Sequence, residues 1–393
     1  MAKQFTSKEW EKVRARMGET NQARYGLPTR RDGSVLLGSF NVRKLGAASG
    51  RSDETWAFLA DACRRFDLLA VQEVMDDLSG LRELKERMGP EFALVVSDQT
   101  GVFPGERGLG ERLGFIYRWD TVERMEMASD ISYDRTKLID SIARNWDTLS
   151  EDMGEYPQDL AAYEEGALRR KPKAPRPSFF LSFIRQPYCV AFRIAGSEGA
   201  KPYEFMAVNA HLLFGESLTD RRLEFEALIE WLMSRLEDDT EAYYPDLILM
   251  GDLNLDYDNP ARDRPRIERF IKELNEKLEE GPSVNFPFLD PHPDSGGDVF
   301  RTNARKNQTF DQIALFIHDP RLPTYEANIT TMGAQPEGPD YGVFDFVSLF
   351  SEALHDLPYD SLTDDQRDAL FEKFEHDVSD HMPLWLRLPL PTA

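Results

Sequence analysis

One pattern constrains this chain more than its length does. Short runs of aliphatic, β-branched and aromatic residues repeatedly end, or begin, on a carboxylate, an amide or an imidazole. "SVLLGSFN" (34–41) closes on Asn41, "DLLAVQE" (67–73) on Glu73 and "YEFMAVNAH" (203–211) on His211, while "DLILMGDLN" (246–254) carries Asp252 and Asn254. "RLGFIYR" (112–118) follows Glu111, "TFDQIALF" (309–316) holds Asp311 near its start, and "MPLWLRL" (382–388) follows His381. "FALVVSD" (92–98) and "PYCVAFRI" (187–194) complete the series. Runs of this length and composition read as strands. A core strand gains nothing from a charge at its end, because an unpaired ionisable group out of water is costly. If one set of strands runs against the other, these polar residues collect on one rim.

Helical patterns fall between the runs. "DETWAFLADACRRF" follows the first strand, and "SLTDRRLEFEALIEWLMSRLEDD" (217–239) puts Phe225, Leu228, Ile229, Leu232 and Leu236 on one face. "PRIERFIKELNEKLEE" (265–280) is another. Strands and helices do not alternate strictly, which predicts a mixed, layered α/β architecture rather than a doubly wound sheet. The reading divides the chain into a helical extension over 1–33 and a single domain over 34–393, interrupted by insertions at about 127–182 and 355–378.

The rim chemistry is specific. Asn41 and Glu73 offer hard oxygen ligands suited to Mg²⁺, with Mn²⁺ an alternative. Two histidines with carboxylates to hand supply a general base and a general acid. Asp252 and Asn254, two apart on an extended segment, can point to one side, one orienting a water and the other donating to a phosphate oxygen. The set suits metal-assisted attack of water on a phosphoester. Asp256 and Asp258 read as part of the following turn, and His292, His318, His355 and His376 as surface or loop residues.

Charge narrows the partners. With 47 Lys and Arg against 70 Asp and Glu, the net charge is −23, a field that repels polyanions at long range. A nucleic-acid substrate therefore requires bound cations or a local basic patch, and "RRKPKAPRP", with Arg169, Arg170, Lys171, Lys173 and Arg176, is the best candidate. No run of eighteen apolar residues spans a membrane, and the first residues carry no apolar signal core, so the expected location is cytoplasmic. Cys63 and Cys189 lie in apolar surroundings and read as buried thiols, not a disulfide.

The ordered series "GSFNVRKL", "LLAVQEV", "ERLGFIYR", "VNAHL", "LMGDLNLD", "TFDQIALF" and "SDHMPLWLRL" resembles the endonuclease/exonuclease/phosphatase superfamily, and within it looks most like deoxyribonuclease I. The resemblance implies two packed mixed β-sheets with helices on both outer faces, a four-layer sandwich. It implies a metal site at Asn41, Glu73 and Asp380, and two His–carboxylate pairs, Glu111 with His211 and Asp311 with His381. Asp252 would position the water, and Asn254 and Arg185 would contact the phosphate. The implied activity is Mg²⁺-dependent hydrolysis of DNA within the chain, with the 169–176 stretch as a further contact. Departures exist. Met75 is followed by Asp76 and Asp77 where such enzymes place a basic residue to enter the minor groove, and Leu109 stands where they carry a tyrosine. The long insertion takes the place of a small disulfide-bearing loop. The alternative within the superfamily is a phosphodiesterase or phosphatase acting on a phospholipid or a small phosphorylated metabolite, which the acidic charge favours. A non-catalytic binding module would have lost site residues, and none is missing.

Overall fold

The computed structural model describes residues 4–18, 22–100, 110–131, 135–175, 177–196, 201–213, 218–237, 243–255, 260–278, 282–292, 298–324 and 340–390. Every run expected to be a strand is one. In chain order the strands are β1 (Val35–Leu45), β2 (Leu68–Val74), β3 (Phe92–Val96), β4 (Arg112–Arg118), β5 (Val122–Asp130) and β6 (Tyr188–Ile194). They continue with β7 (Tyr203–His211), β8 (Leu247–Asp252), β9 (Ser283–Asn285), β10 (Asp311–Ile317), β11 (Tyr341–Val343) and β12 (Leu384–Leu388).

These strands form two six-stranded sheets, β11-β12-β1-β2-β4-β3 and β5-β6-β7-β8-β10-β9. The pairs β1/β2 and β7/β8 are parallel and the rest antiparallel, so both sheets are mixed, as expected. Alternation along each strand sorts side chains between two layers. From the second sheet, Val190, Phe192, Phe205, Ile248, Met250, Ile313 and Leu315 face the first sheet, burying Phe192 edge-on against Phe115 at 5.4 Å. The intervening residues, including Ala191, Val208, Leu249 and Ala314, pack instead with α7 (Leu218–Glu237) and α8 (Pro260–Lys277).

On the other side of the molecule lie α1 (Ser7–Gly18), α2 (Asp53–Cys63), α3 (Ser79–Met88), α9 (Phe346–His355) and α10 (Asp364–Asp377). Phe5, Trp10, Phe58, Phe350 and Phe374 form one aromatic cluster there. The segment read as an N-terminal extension thus packs into the main core, and so does α10, which lies in the second expected insertion. The stretch expected as the first insertion, from about 127, overlaps the end of β5, which runs to Asp130 and pairs with β6. Its helices α4 (Arg135–Arg144), α5 (Trp146–Met153) and α6 (Tyr156–Glu164) bury no residue. Among the described residues no helix is long and apolar enough to cross a membrane. Cys63 and Cys189 are buried free thiols.

Candidate active site

Strand register builds the centre of the rim. His211 on β7 is level with Asp252 on β8, and Asp252 is level with Asp311 on β10, so three polar residues form one row across the second sheet. Gly251 holds this row in place. It adopts φ +144°, and a Cβ there would meet the Ala210 carbonyl oxygen at 1.9 Å, so only glycine lets β8 lie this close to β7.

The first sheet supplies the opposing wall. Asn41 was expected at the end of its strand, but β1 continues to Leu45. The register of β1 against β2 breaks between Asn41 and Leu45, and that of β2 against β4 breaks between Val71 and Val74. Within these irregularities Lys44 and Glu73 take left-handed φ values of 46° and 56°, unusual for residues with a Cβ and a feature that gathers at functional sites. The Lys44 backbone N–H donates to Glu73 Oε2 at 2.9 Å, and Asn41 Nδ2 donates to Glu73 Oε1 at 3.2 Å and across the sheets to Asp252 Oδ2 at 3.1 Å.

With Asn41 Nδ2 so occupied, its Oδ1 is buried and accepts no hydrogen bond among the described residues. An orphaned acceptor oxygen beside a carboxylate fits a hard cation. Asn41 and Glu73 therefore have the donor set for the expected metal. Asp380 is held differently: its Oδ2 pairs with Arg43, whose other terminal nitrogen lies 2.6 Å from Glu375 on α10. Ser379 ties this turn to Asn41, donating to the Asn41 carbonyl at 2.6 Å and accepting from the His381 N–H at 3.1 Å. A second group able to hold a cation is Asp252, Asp311 and His381, with ligand atoms all within 4.8 Å of one another.

Both expected His–carboxylate pairs are present, and each joins the two sheets. His381 Nδ1 lies 2.9 Å from Asp311 Oδ2, which also accepts from the Thr302 hydroxyl at 2.6 Å. Burial works against the imidazolium, yet the carboxylates of Asp311 and Asp252 outweigh it and raise the His381 pKa well above the usual histidine range. His211 Nδ1 lies 3.1 Å from Glu111 Oε2, with the ring turned off the line of a full hydrogen bond. Burial would push Glu111 up, but His211 and Arg185 overcome it and bring the carboxyl down to about 2. The Nε2 atoms of His211 and His381 converge on Asp252 Oδ2, at 3.6 and 3.5 Å.

One expectation needs correction. Asn254 is not on an extended segment: it has φ 50°, its N–H donates to Asp252 Oδ1 at 3.1 Å, and its Nδ2 turns back to the Leu212 carbonyl at 3.0 Å. This is a tight turn closed by Asp252's own side chain, so the two side chains are not ranged along one face. His292 lies in a loop, as expected, and is buried there at 2% exposure, with its ring 4.3 Å from Phe300. Arg112, next to Glu111 in the chain, pairs with Asp98 at 3.0 Å. Arg107, Leu109, Arg176, Asp256 and Asp258 lie outside the described residues.

The sequence reading missed a polar clamp between the sheets. Asn209 Nδ2 donates to the carbonyls of Val71 and Gly114 at 3.1 and 2.8 Å, and Gln72 Nε2 donates to Asn209 Oδ1 at 2.7 Å. Both residues stand beside motif residues, at inward positions of apolar strands where a polar side chain requires a partner. Arg43, Thr302 and Ser379 were missed as well.

No family model matches the chain. A curated deoxyribonuclease from Thioalkalivibrio sp. (strain K90mix) is 26% identical over 232 residues, covering 58% of this chain. The chain spans about half that relative's length, 48%. Among solved structures, a humanized D. rerio TDP2 matches with TM-score 0.45 and 14% identity over 90% of this chain and 98% of that one. An endonuclease/exonuclease/phosphatase family protein from Bacteroides thetaiotaomicron matches with TM-score 0.43 and 14% identity over 91% and 96%. In its paired mixed sheets and the order of its rim motifs, the chain resembles the endonuclease/exonuclease/phosphatase superfamily.

Proposed function

We propose that the protein is a divalent-metal-dependent phosphodiester hydrolase that cuts DNA within the chain. The observation that carries this reading is the convergence of two carboxylate-backed imidazoles on Asp252, beside the Asn41–Glu73 pair. The name of the curated relative supports DNA over other phosphoesters.

Asn41 and Glu73 would hold the cation, with Asp380 beside them. A Mg²⁺ or Mn²⁺ there supplies charge neutralisation for a phosphate oxygen. The chain's own residues do the rest. Asp252, buried between both imidazoles, accepts a hydrogen bond from the attacking water and orients it toward phosphorus. One imidazole takes the water's proton as the P–O bond forms, and the other gives a proton to the departing oxygen. Asp311 bonds the far ring nitrogen of His381 and Glu111 faces that of His211, which favours one tautomer in each and leaves Nε2 directed at the reaction. Asn254 helps fix Asp252 through its N–H.

Incubating the purified protein with supercoiled plasmid and Mg²⁺, with Mn²⁺ in parallel, tests the reading. Nicking that requires both the metal and His211 supports it. Absence of nicking with either metal rejects duplex DNA, and the acidic net charge then directs the assay to lipid and small-metabolite phosphoesters.

A further inference from the structure

Arg185 resembles a phosphate-contacting arginine by sequence, but its guanidinium is committed elsewhere. Its Nε donates to Glu111 Oε2 at 2.6 Å and its Nη2 to Glu111 Oε1 at 3.1 Å, a two-pronged fork on one carboxylate. Its Nη1 lies 3.4 and 3.3 Å from the carbonyl oxygens of His211 and Leu212. A guanidinium has five N–H donors, and these contacts leave at most one, on Nη2, for anything else. The side chain is 9% exposed.

The segment carrying Arg185 is itself anchored. Glu224 on α7 is buried, and its two carboxylate oxygens accept from the backbone N–H groups of Ile184 at 2.6 Å and Leu213 at 2.7 Å. The same helix residue therefore grips the chain just before Arg185 and just after His211. Arg185, Glu111, the end of β7 and Glu224 close into one ring of contacts around the His211 imidazole.

We propose that Arg185 is a positioning residue that aims the Glu111 carboxylate at His211 Nδ1, and not a contact for the substrate phosphate. The fork sets the plane of the carboxylate, and the contact to the β7 carbonyls sets where His211 stands relative to it. A lysine could carry the charge but not both edges of the fork. The inference deepens the catalytic reading above, since a fixed His211 matters to the reaction only if His211 transfers a proton.

The test pairs a structural readout with a kinetic one. The ¹⁵N resonances of His211 are recorded in the native protein and in the Arg185→Ala, Arg185→Lys and Glu111→Gln variants. Kinetics on supercoiled plasmid with Mg²⁺ and plasmid affinity follow for each. The expected result is that Arg185→Ala moves the His211 ring nitrogens in the same direction as Glu111→Gln. It should also lower kcat by about 10–100-fold, the scale of lost partners behind a site residue. KM and plasmid affinity should stay within about twofold, the signature of an interaction not used for ground-state binding. Adding Arg185→Ala to Glu111→Gln should cost little more, because both act through one contact. If the alanine variant does not fold, the lysine variant carries the same reading at smaller amplitude. An unchanged His211 spectrum overturns the proposal, as does a loss of plasmid affinity that persists in the Glu111→Gln background. If the native protein cuts no plasmid, the catalytic reading fails, while the His211 spectra still decide what Arg185 does.

Discussion

The two His–carboxylate pairs use the same groups in opposite settings. In one, the histidine (His211) ends a strand of the second sheet and its carboxylate (Glu111) precedes a strand of the first. In the other, the carboxylate (Asp311) begins a strand of the second sheet and the histidine (His381) precedes a strand of the first. Their supports differ more. Glu111 has a guanidinium on both oxygens, whereas Asp311 is fully buried with a hydroxyl and an imidazole and, among the described residues, no Lys or Arg partner. One carboxyl is drawn down to about 2; the other is pushed up by burial, and its proton partner His381 is held charged. A mirrored layout therefore sets one imidazole, His381, on a carboxyl pushed up by burial and the other, His211, beside a carboxyl drawn down by a guanidinium.

Removing what the pairs share should have the largest effect. Asp252→Asn keeps the shape but removes the charge between the two Nε2 atoms, and should lower plasmid nicking by about 10³-fold. A variant within tenfold of the native rate would show that the pairs work independently of Asp252. Single replacements His211→Ala and His381→Ala should each cost about 10²-fold, less than Asp252→Asn. The double variant should lose far less than the product of the two, since the groups act as a unit. Full multiplicativity in single-turnover assays would break the comparison by making the pairs separate machines.

Acid stability separates the supports more finely. The Glu111 carboxyl falls from 4.5 to about 2 on folding, a shift worth about 3 kcal/mol. A lowered pKa contributes stability that is present above 4.5 and lost as pH drops toward 2. Denaturant titrations should thus show native protein and Glu111→Gln converging as pH falls through that window. Asp311→Asn should leave the profile below about pH 3.8 unchanged, because a raised carboxyl is protonated there in both folded and unfolded chains. The smallest effect should come from Thr302→Val, which removes the hydroxyl donor to Asp311 and costs about 1–2 kcal/mol by the same titration at neutral pH.

The rim was legible because its polar residues interrupt otherwise apolar strands, and strand direction then gathers them. β5 was not, since "VERMEMASD" is largely exposed and acidic; its hydrophobic signal is diluted. Three-residue strands such as β9 and β11 fall below any periodicity. Gln72 and Asn209 could have been found, as polar residues at inward positions of apolar runs. The left-handed backbones of Glu73 and Asn254 could not, because bulges and side-chain closure set them and no residue type announces them. The commitment of Arg185 to Glu111 was equally hidden: 74 positions separate the two, and only the packed fold brings them together.

The Ser379 hydroxyl closes on the carbonyl of Asn41, and the Phe5 N–H on Asp377, so the beginning of the chain is completed by its far end. On a ribosome, the strand bearing Asn41 emerges with its partner some 338 residues away. At roughly 5–20 residues per second, the nascent chain waits on the order of twenty seconds to a minute before the rim can assemble. A product that stops short of His381 lacks the imidazole that faces Asp311 and Asp252.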